Sequence, residues 1–158
     1  MTEHLIELAE EADTLALGAS LAAGAKAGRV LYLSGDLGSG KTTLARGLIR
    51  ALGHAGRVKS PTYGLVEVYE LSSLNLYHFD LYRFKDKTEW LSSGFGEYFG
   101  PDALCIVECP DRAAGLLAPG DLEIELQFAP AGRLARMRAR TPAGLDWFLL
   151  SRSRSPSS

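Results

Sequence analysis

The sequence predicts an α/β fold in three layers, α/β/α, around a mixed, mainly parallel sheet with an antiparallel hairpin at one edge. Three observations carry that expectation. Residues 29–34, RVLYLS, form an apolar, β-prone run that leads through a glycine-rich loop into a segment with Leu44, Leu48, Ala51 and Leu52 at helical spacing. Residues 103–107 are continuously apolar between Pro101 and Pro110, the pattern of a parallel strand covered on both faces. Leu122, Ile124, Leu126 and Phe128 alternate with Glu123, Glu125 and Gln127, as in a strand with one wet face.

A length of 158 residues with 46% hydrophobic content suits one domain, taken as residues 1–150, with room for a core but not for a second catalytic domain. Residues 151–158, SRSRSPSS, offer nothing apolar to bury and are expected to form a disordered tail. The formal net charge of -2 argues against binding nucleic acid through the overall field. No apolar run approaches the roughly 20 residues of a membrane span, and the N-terminus lacks a basic-then-apolar leader, so a cytoplasmic protein with no membrane partner is expected. Cys105 and Cys109 have no nearby histidine to complete a zinc site and read as reduced thiols.

Taken in order, residues 4–23 place Leu5, Leu8, Ala12, Leu15 and Ala19 near helical spacing with Glu7, Glu10, Glu11 and Asp13 outward, which predicts an opening helix. Gly24 and Gly28 end it before the first strand at 29–34. After the loop and its helix, Gly53 and Gly56 mark a second loop into Lys59-Ser60-Pro61-Thr62-Tyr63, where Pro61 biases Ser60 toward extended backbone. Residues 63–71 and 74–79 are two β-prone runs joined by Ser72-Ser73, the expected hairpin. Trp90, Leu91, Phe95, Tyr98 and Phe99, interrupted by Gly94 and Gly96, predict short helical turns over the sheet edge, with the aromatic rings used for core packing. Beyond the strand from Leu122, the turn Ala129-Pro130-Ala131-Gly132 sends the chain back as a strand whose Leu134, Arg136, Arg138 and Arg140 share a face. That arginine row either pairs with Glu123 and Glu125 across the hairpin or meets a polyanion. A short helix at 144–150, with Trp147 and Phe148 inward, is expected to close the domain.

The chemistry concentrates in Gly35-Asp36-Leu37-Gly38-Ser39-Gly40-Lys41-Thr42-Thr43, which fits G-x-x-x-x-G-K-[ST] without a mismatch and stands between a strand and a helix as a P-loop must. This makes the expected fold P-loop NTPase-like and the expected ligand a nucleoside triphosphate. Gly35, Gly38 and Gly40 permit the backbone to turn its N–H groups inward, and the helix starting near Lys41 adds unsatisfied donors and a positive dipole end. The candidate nucleotide contacts are Asp36, Gly38, Ser39, Gly40, Lys41, Thr42 and Thr43, with Lys41 reaching the β- and γ-phosphates and Thr42 ligating Mg²⁺. Thr62 is presented from a loop, either as a switch residue that reaches Mg²⁺ and the γ-phosphate or as part of a plain turn. Asp80 ends the second hairpin strand and Glu108 ends the buried strand. Because ligands gather outside the carboxyl ends of strands, both are candidates for the Mg²⁺ shell and the attacking water, against the alternatives of a strand terminator and an exposed strand end.

Taken together, GDLGSGKTT at 35–43, SPTY at 60–63, HFDLYR at 78–83 and IVECPDR at 106–112 resemble the bacterial TsaE (YjeE) family, in order and in content, through about Asp121. The resemblance implies a small ATPase that uses ATP and Mg²⁺. It also implies work with the TsaB and TsaD proteins in making threonylcarbamoyladenosine beside the anticodon of tRNA, with group transfer belonging to a partner and tRNA contact indirect. It matches Lys41 and Thr42 to the Walker A pair, Thr62 to the switch threonine, and Asp80 and Glu108 to the acidic positions. One departure stands out: the family usually has Glu-Trp-Pro-Glu where this chain has Glu108-Cys109-Pro110-Asp111.

Three other functions compete. A Ras-type GTPase needs an Asn-Lys-x-Asp guanine reader, whereas the only asparagine here is Asn75, followed by Leu76 and Tyr77. A small-molecule kinase shares the P-loop but needs an acceptor pocket and usually an arginine-bearing lid, for which no insert is evident. A nucleotide-sensing module with little hydrolysis overlaps with the ATPase reading.

Overall fold

The apolar run that precedes Glu108 is buried at all six positions of its strand, as a run without polar alternation must be. In a computed structural model that describes residues 3–58, 61 and 65–154, it is the fifth of seven strands. In chain order the elements are β1 (Glu3–Leu8), α1 (Glu11–Ser20), β2 (Val30–Gly35), α2 (Lys41–Ala51), β3 (Val66–Glu70), β4 (Asn75–Asp80), α3 (Lys87–Ser93), β5 (Ala103–Glu108), β6 (Leu122–Ala129), β7 (Gly132–Ala139) and α4 (Pro142–Arg154). Short 3₁₀ turns lie at Leu21–Gly24, Phe95–Tyr98 and Pro110–Ala113.

The strands form one sheet in the order β1-β7-β6-β2-β5-β4-β3. Its centre, β6, β2, β5 and β4, is parallel. The hairpin β3–β4 closes one edge antiparallel as expected, and β7 and β1 add two further antiparallel strands at the other. Alternation along each central strand sorts side chains between two cores. Leu31, Leu33, Leu104 and Ile106 join Leu44 and Leu48 of α2, Leu17 of α1 and Trp147 of α4 on one face. Tyr32, Phe79, Cys105 and Val107 meet Trp90 of α3 and Phe95 on the other, which makes the three layers. The aromatic cluster lies over that second face at β4 and β5 and reaches Val66 of the edge strand β3, with Phe79 stacked on Phe99 at 5.1 Å between centroids.

Two sequence expectations are corrected. The opening helix predicted from residue 4 begins only at Glu11, because residues 3–8 are strand β1, paired in register along β7 from Glu3↔Arg138 to Leu8↔Arg133. Leu5 and Leu8 suit a helical stripe, but the open edge of β7 offers six residues of ladder pairing that an isolated helix turn cannot match. Glu10 N donating to the Asp13 carboxylate at 2.9 Å, one half of a capping box, then sets the true helix start. At the other end, α4 continues through residues 151–154, placed in the sequence reading within a disordered tail. Ser151 is buried with its hydroxyl donating to the Trp147 carbonyl, and the Arg152 guanidinium lies 5.6 Å above the Phe148 ring. Backbone satisfaction and stacking therefore substitute for the missing apolar side chains.

Two arginines of the row, Arg138 and Arg140, pair within the sheet, while the buried Nε of Arg136 has no hydrogen-bond partner among the described residues. Glu123 and Glu125 stand opposite Arg138 and Arg136 in register. Arg140 Nε donates to Glu123 at 3.1 Å, and Arg138 Nε donates at 2.6 Å to Glu3, supplied by the unforeseen strand.

Candidate functional site

A loop that must wrap an anion needs backbone conformations closed to most side chains. Gly40 supplies one: it caps α2 at φ +109°, in the left-handed region that favours glycine. Lys41 opens the helix, and its buried ammonium donates to the Gly35 carbonyl at 2.7 Å and the Asp36 carbonyl at 3.0 Å. Two of its three protons are thus held by the loop itself, which fixes the cation beside the cradle and leaves one for an anionic oxygen. Ser39 is buried, and its hydroxyl has no hydrogen-bond partner among the described residues, an orphan pointing to a ligand with acceptor atoms. Asp36 is exposed at the outer edge and enters the network through its carbonyl, which also accepts from Ser39 N.

Strand ends bring in the carboxylates. β5 and β4 run parallel with Asp80↔Glu108 as the last register pair, while β2, on the other side of β5, ends at the loop. Glu108 is 2% exposed. Both its oxygens accept from the Thr42 hydroxyl, at 3.1 and 3.0 Å, and Oε2 lies 2.6 Å from His78 Nε2. Asp80 is half-buried, with Oδ1 accepting from Tyr82 N at 3.0 Å. Lys41, Thr42, Asp80, Glu108 and Cys109 line one recess of about 410 Å³. Larger recesses of 670 and 830 Å³ lie elsewhere, but neither holds the loop or the strand-end carboxylates, so chemistry rather than size marks the site.

Thr42, Asp80 and Glu108 offer only oxygen donors, the kind a hard divalent cation takes. Among the described residues no three His, Cys, Asp or Glu side chains form a self-sufficient metal site. A hydroxyl and two carboxylates are a donor set that Mg²⁺ could use, since it is commonly bound through one or two carboxylates with phosphate oxygens and water in the remaining positions. Thr62 lies outside the described residues.

Three features escaped the sequence reading. His78 sits in the H-x-D stretch without an assigned role, yet it touches Glu108. Arg133, at the β6–β7 turn, donates through Nη2 to the Gly38 carbonyl at 3.2 Å while its guanidinium lies 4.4 Å over Phe128. A second recess of about 200 Å³ adjoins the loop, bounded by Leu8, Glu10, Thr14, Ser39, Gly132 and Arg133. The last two depend on the end of β1 and the hairpin tip meeting over the loop, for which local periodicity gives no signal. Cys109, at φ +60°, turns the chain sharply after Glu108, and burial pushes its thiol up to about 11.

The family model described as "Threonylcarbamoyl adenosine biosynthesis protein TsaE" matches residues 8–136. The chain belongs to the TsaE family. Two relatives, each named tRNA threonylcarbamoyladenosine biosynthesis protein TsaE, agree. The Haemophilus influenzae protein is 42% identical over 115 residues, 73% of this chain and 73% of its own. The Bacillus subtilis protein is 45% identical over 135 residues, 79% of this chain and 84% of its own. The crystal structure of Bacillus subtilis YdiB superposes with a TM-score of 0.80 at 28% identity, covering 96% of both chains, so the TsaE-family sequence and the observed fold agree over nearly the whole length.

Proposed function

We propose that this TsaE-family protein is a Mg²⁺-dependent ATPase serving the threonylcarbamoyladenosine modification of tRNA, in the cytoplasm and in assembly with TsaB and TsaD proteins. The observation that supports it best is the single recess in which the loop lysine, the Thr42 hydroxyl and the two strand-end carboxylates meet. In this reading the loop backbone and the α2 N-terminus hold the triphosphate, and Lys41 releases its loop carbonyls to reach the β- and γ-phosphates. Thr42 and Glu108 hold Mg²⁺, with Asp80 and Thr62 completing its shell and the water position. Bound Mg²⁺ neutralises charge on the β- and γ-phosphate oxygens. The smaller recess near Arg133 receives the nucleoside end.

Pairing of Arg138 with Glu3 and of Arg140 with Glu123 supports indirect contact with tRNA, because those two guanidinium groups are committed within the sheet rather than to a phosphate backbone. Phosphoryl transfer is catalysed mainly by positioning and charge stabilisation, and in this reading hydrolysis acts as a timer for partner docking. Phosphate release from ATP with and without Mg²⁺, in the wild type and in Lys41→Ala, tests the reading. Mg²⁺-dependent release that the variant abolishes, with its circular dichroism unchanged, is the expected result; equal release by both would rule out the loop as the working site.

A further inference from the structure

A carboxylate can serve a metal shell only if one oxygen is kept facing the cation, and the surroundings of Glu108 identify what keeps it so. Thr42 does not choose between the oxygens, since its hydroxyl oxygen lies 3.1 Å from one and 3.0 Å from the other. His78 does choose: its Nε2 is 2.6 Å from Oε2 alone. A carboxylate oxygen has no proton to give, so the ring nitrogen facing it carries one and donates. The ring is 0% exposed and its Nδ1 has no hydrogen-bond partner among the described residues, so none of these anchors it through that nitrogen. Thr42 can re-aim its proton when its oxygen turns to a cation. The packed ring cannot.

We infer that His78 is a positioning residue for the metal-binding state of this site, holding Oε2 of Glu108 so that Oε1, which the ring does not touch, is the oxygen kept available to a cation in the recess. The inference rests on the ATPase reading above. It also explains the spacing of His78 and Asp80, two apart on β4, which places both on the face of the sheet that carries Glu108. β4 thus supplies one carboxylate directly and orients the other from behind. Partners of this kind behind a ligating group typically govern metal affinity by about 10- to 100-fold.

Two amides separate this role from simple packing. In His78→Gln the side-chain N–H reaches the position of Nε2, whereas in His78→Asn it stops near Nδ1, short of Glu108. Titration of each protein with a fluorescent ATP analogue, first in EDTA and then in excess Mg²⁺, reads the gain in affinity that Mg²⁺ confers, and thermal melts follow the fold. All three proteins are expected to bind alike in EDTA. His78→Asn is expected to lose about tenfold or more of the Mg²⁺ gain, with His78→Gln within about threefold of wild type. Equal Mg²⁺ gains for Asn and Gln, at similar melting temperatures, would overturn the inference while leaving the ATPase reading intact. Should His78→Asn fail to fold, a folded His78→Gln with the gain preserved supports the inference, and one without it overturns the inference. Wild-type protein that binds no nucleotide in either condition would overturn both.

Discussion

Asp80 and Glu108 are register partners at the carboxyl ends of two adjacent parallel strands, on the sheet face covered by α2, whose first turn carries Lys41 and Thr42. Their surroundings differ. Glu108 is buried and fixed by Thr42 and His78, while Asp80 is half-buried and braced by Tyr82 N. In the proposed ATPase, Glu108→Gln is expected to lower phosphate release by about 10² to 10³, the range for loss of one preorganised charge contact. Asp80→Asn is expected to act in the same direction. Because the pair serves one centre, the double variant should lose far less than the product of the single losses, as steady-state phosphate release would show. Multiplicative losses would mean that the two act independently.

Arg133→Ala removes the donor to the Gly38 carbonyl and the guanidinium over Phe128. A hydrogen bond from a charged group contributes about 1.5–3 kcal/mol where it is well shielded, and this one is exposed, so a fall in nucleotide affinity of no more than about 3- to 10-fold is expected. Calorimetric titration measures it. Unchanged affinity with an unchanged melting temperature would show that the hairpin tip does not organise the loop.

Helices α1 and α2 approach closely enough that glycine is required at the contact. A Cβ added at Gly47 would lie inside van der Waals distance of the Leu15 carbonyl, and one at Gly18 would meet the Leu44 carbonyl in the same way. Backbone atoms cannot rotate aside. Gly47→Ala is therefore expected to destabilise the fold by about 1–3 kcal/mol despite the better helix propensity of alanine. For a domain of this size that corresponds to roughly 2–4 °C of melting temperature per kcal/mol, read by a thermal scan. A raised melting temperature would show that the helices can move apart freely.

The parts legible in the sequence were those set by local pattern. The loop motif, the buried strand ending at Glu108 and the alternating strand from Leu122 each carry their own signature, and the strand-end rule was enough to bring Asp80 and Glu108 to one edge. What stayed hidden depends on distant partners. Residues 3–8 become a strand only because β7 presents an edge 130 residues further on; Leu5 and Leu8 fit either period. Arg133 matters because the hairpin tip reaches Gly38, and His78 matters because β4 lies beside β5 with His78 and Glu108 on one face. No spacing within a single segment encodes these pairings.

Both cysteines are free and buried, and burial raises Cys105 to about 12 and Cys109 to about 11. The reactive form is the thiolate, so at pH 7.5 only roughly three in ten thousand Cys109 thiols are ionised. Modification by a disulfide reagent should be slow in the native protein, accelerate about tenfold per pH unit as pH rises toward 11, and become rapid in urea. Fast native labelling at neutral pH would mean that Cys109 lies open to the recess as a thiolate.

The central claim, an ATPase whose turnover serves a partner assembly, is tested most directly by phosphate release from ATP and Mg²⁺, first by the protein alone and then with TsaB and TsaD added. An arginine supplied by a partner can contribute about 10³ to 10⁵ in rate, and among the described residues lining the recess Arg83 is the one arginine. The predicted result is slow release alone, marked stimulation by the partners, and neither in Lys41→Ala. Full-speed release by the isolated protein with no response to TsaB and TsaD, or release that survives Lys41→Ala, would contradict it.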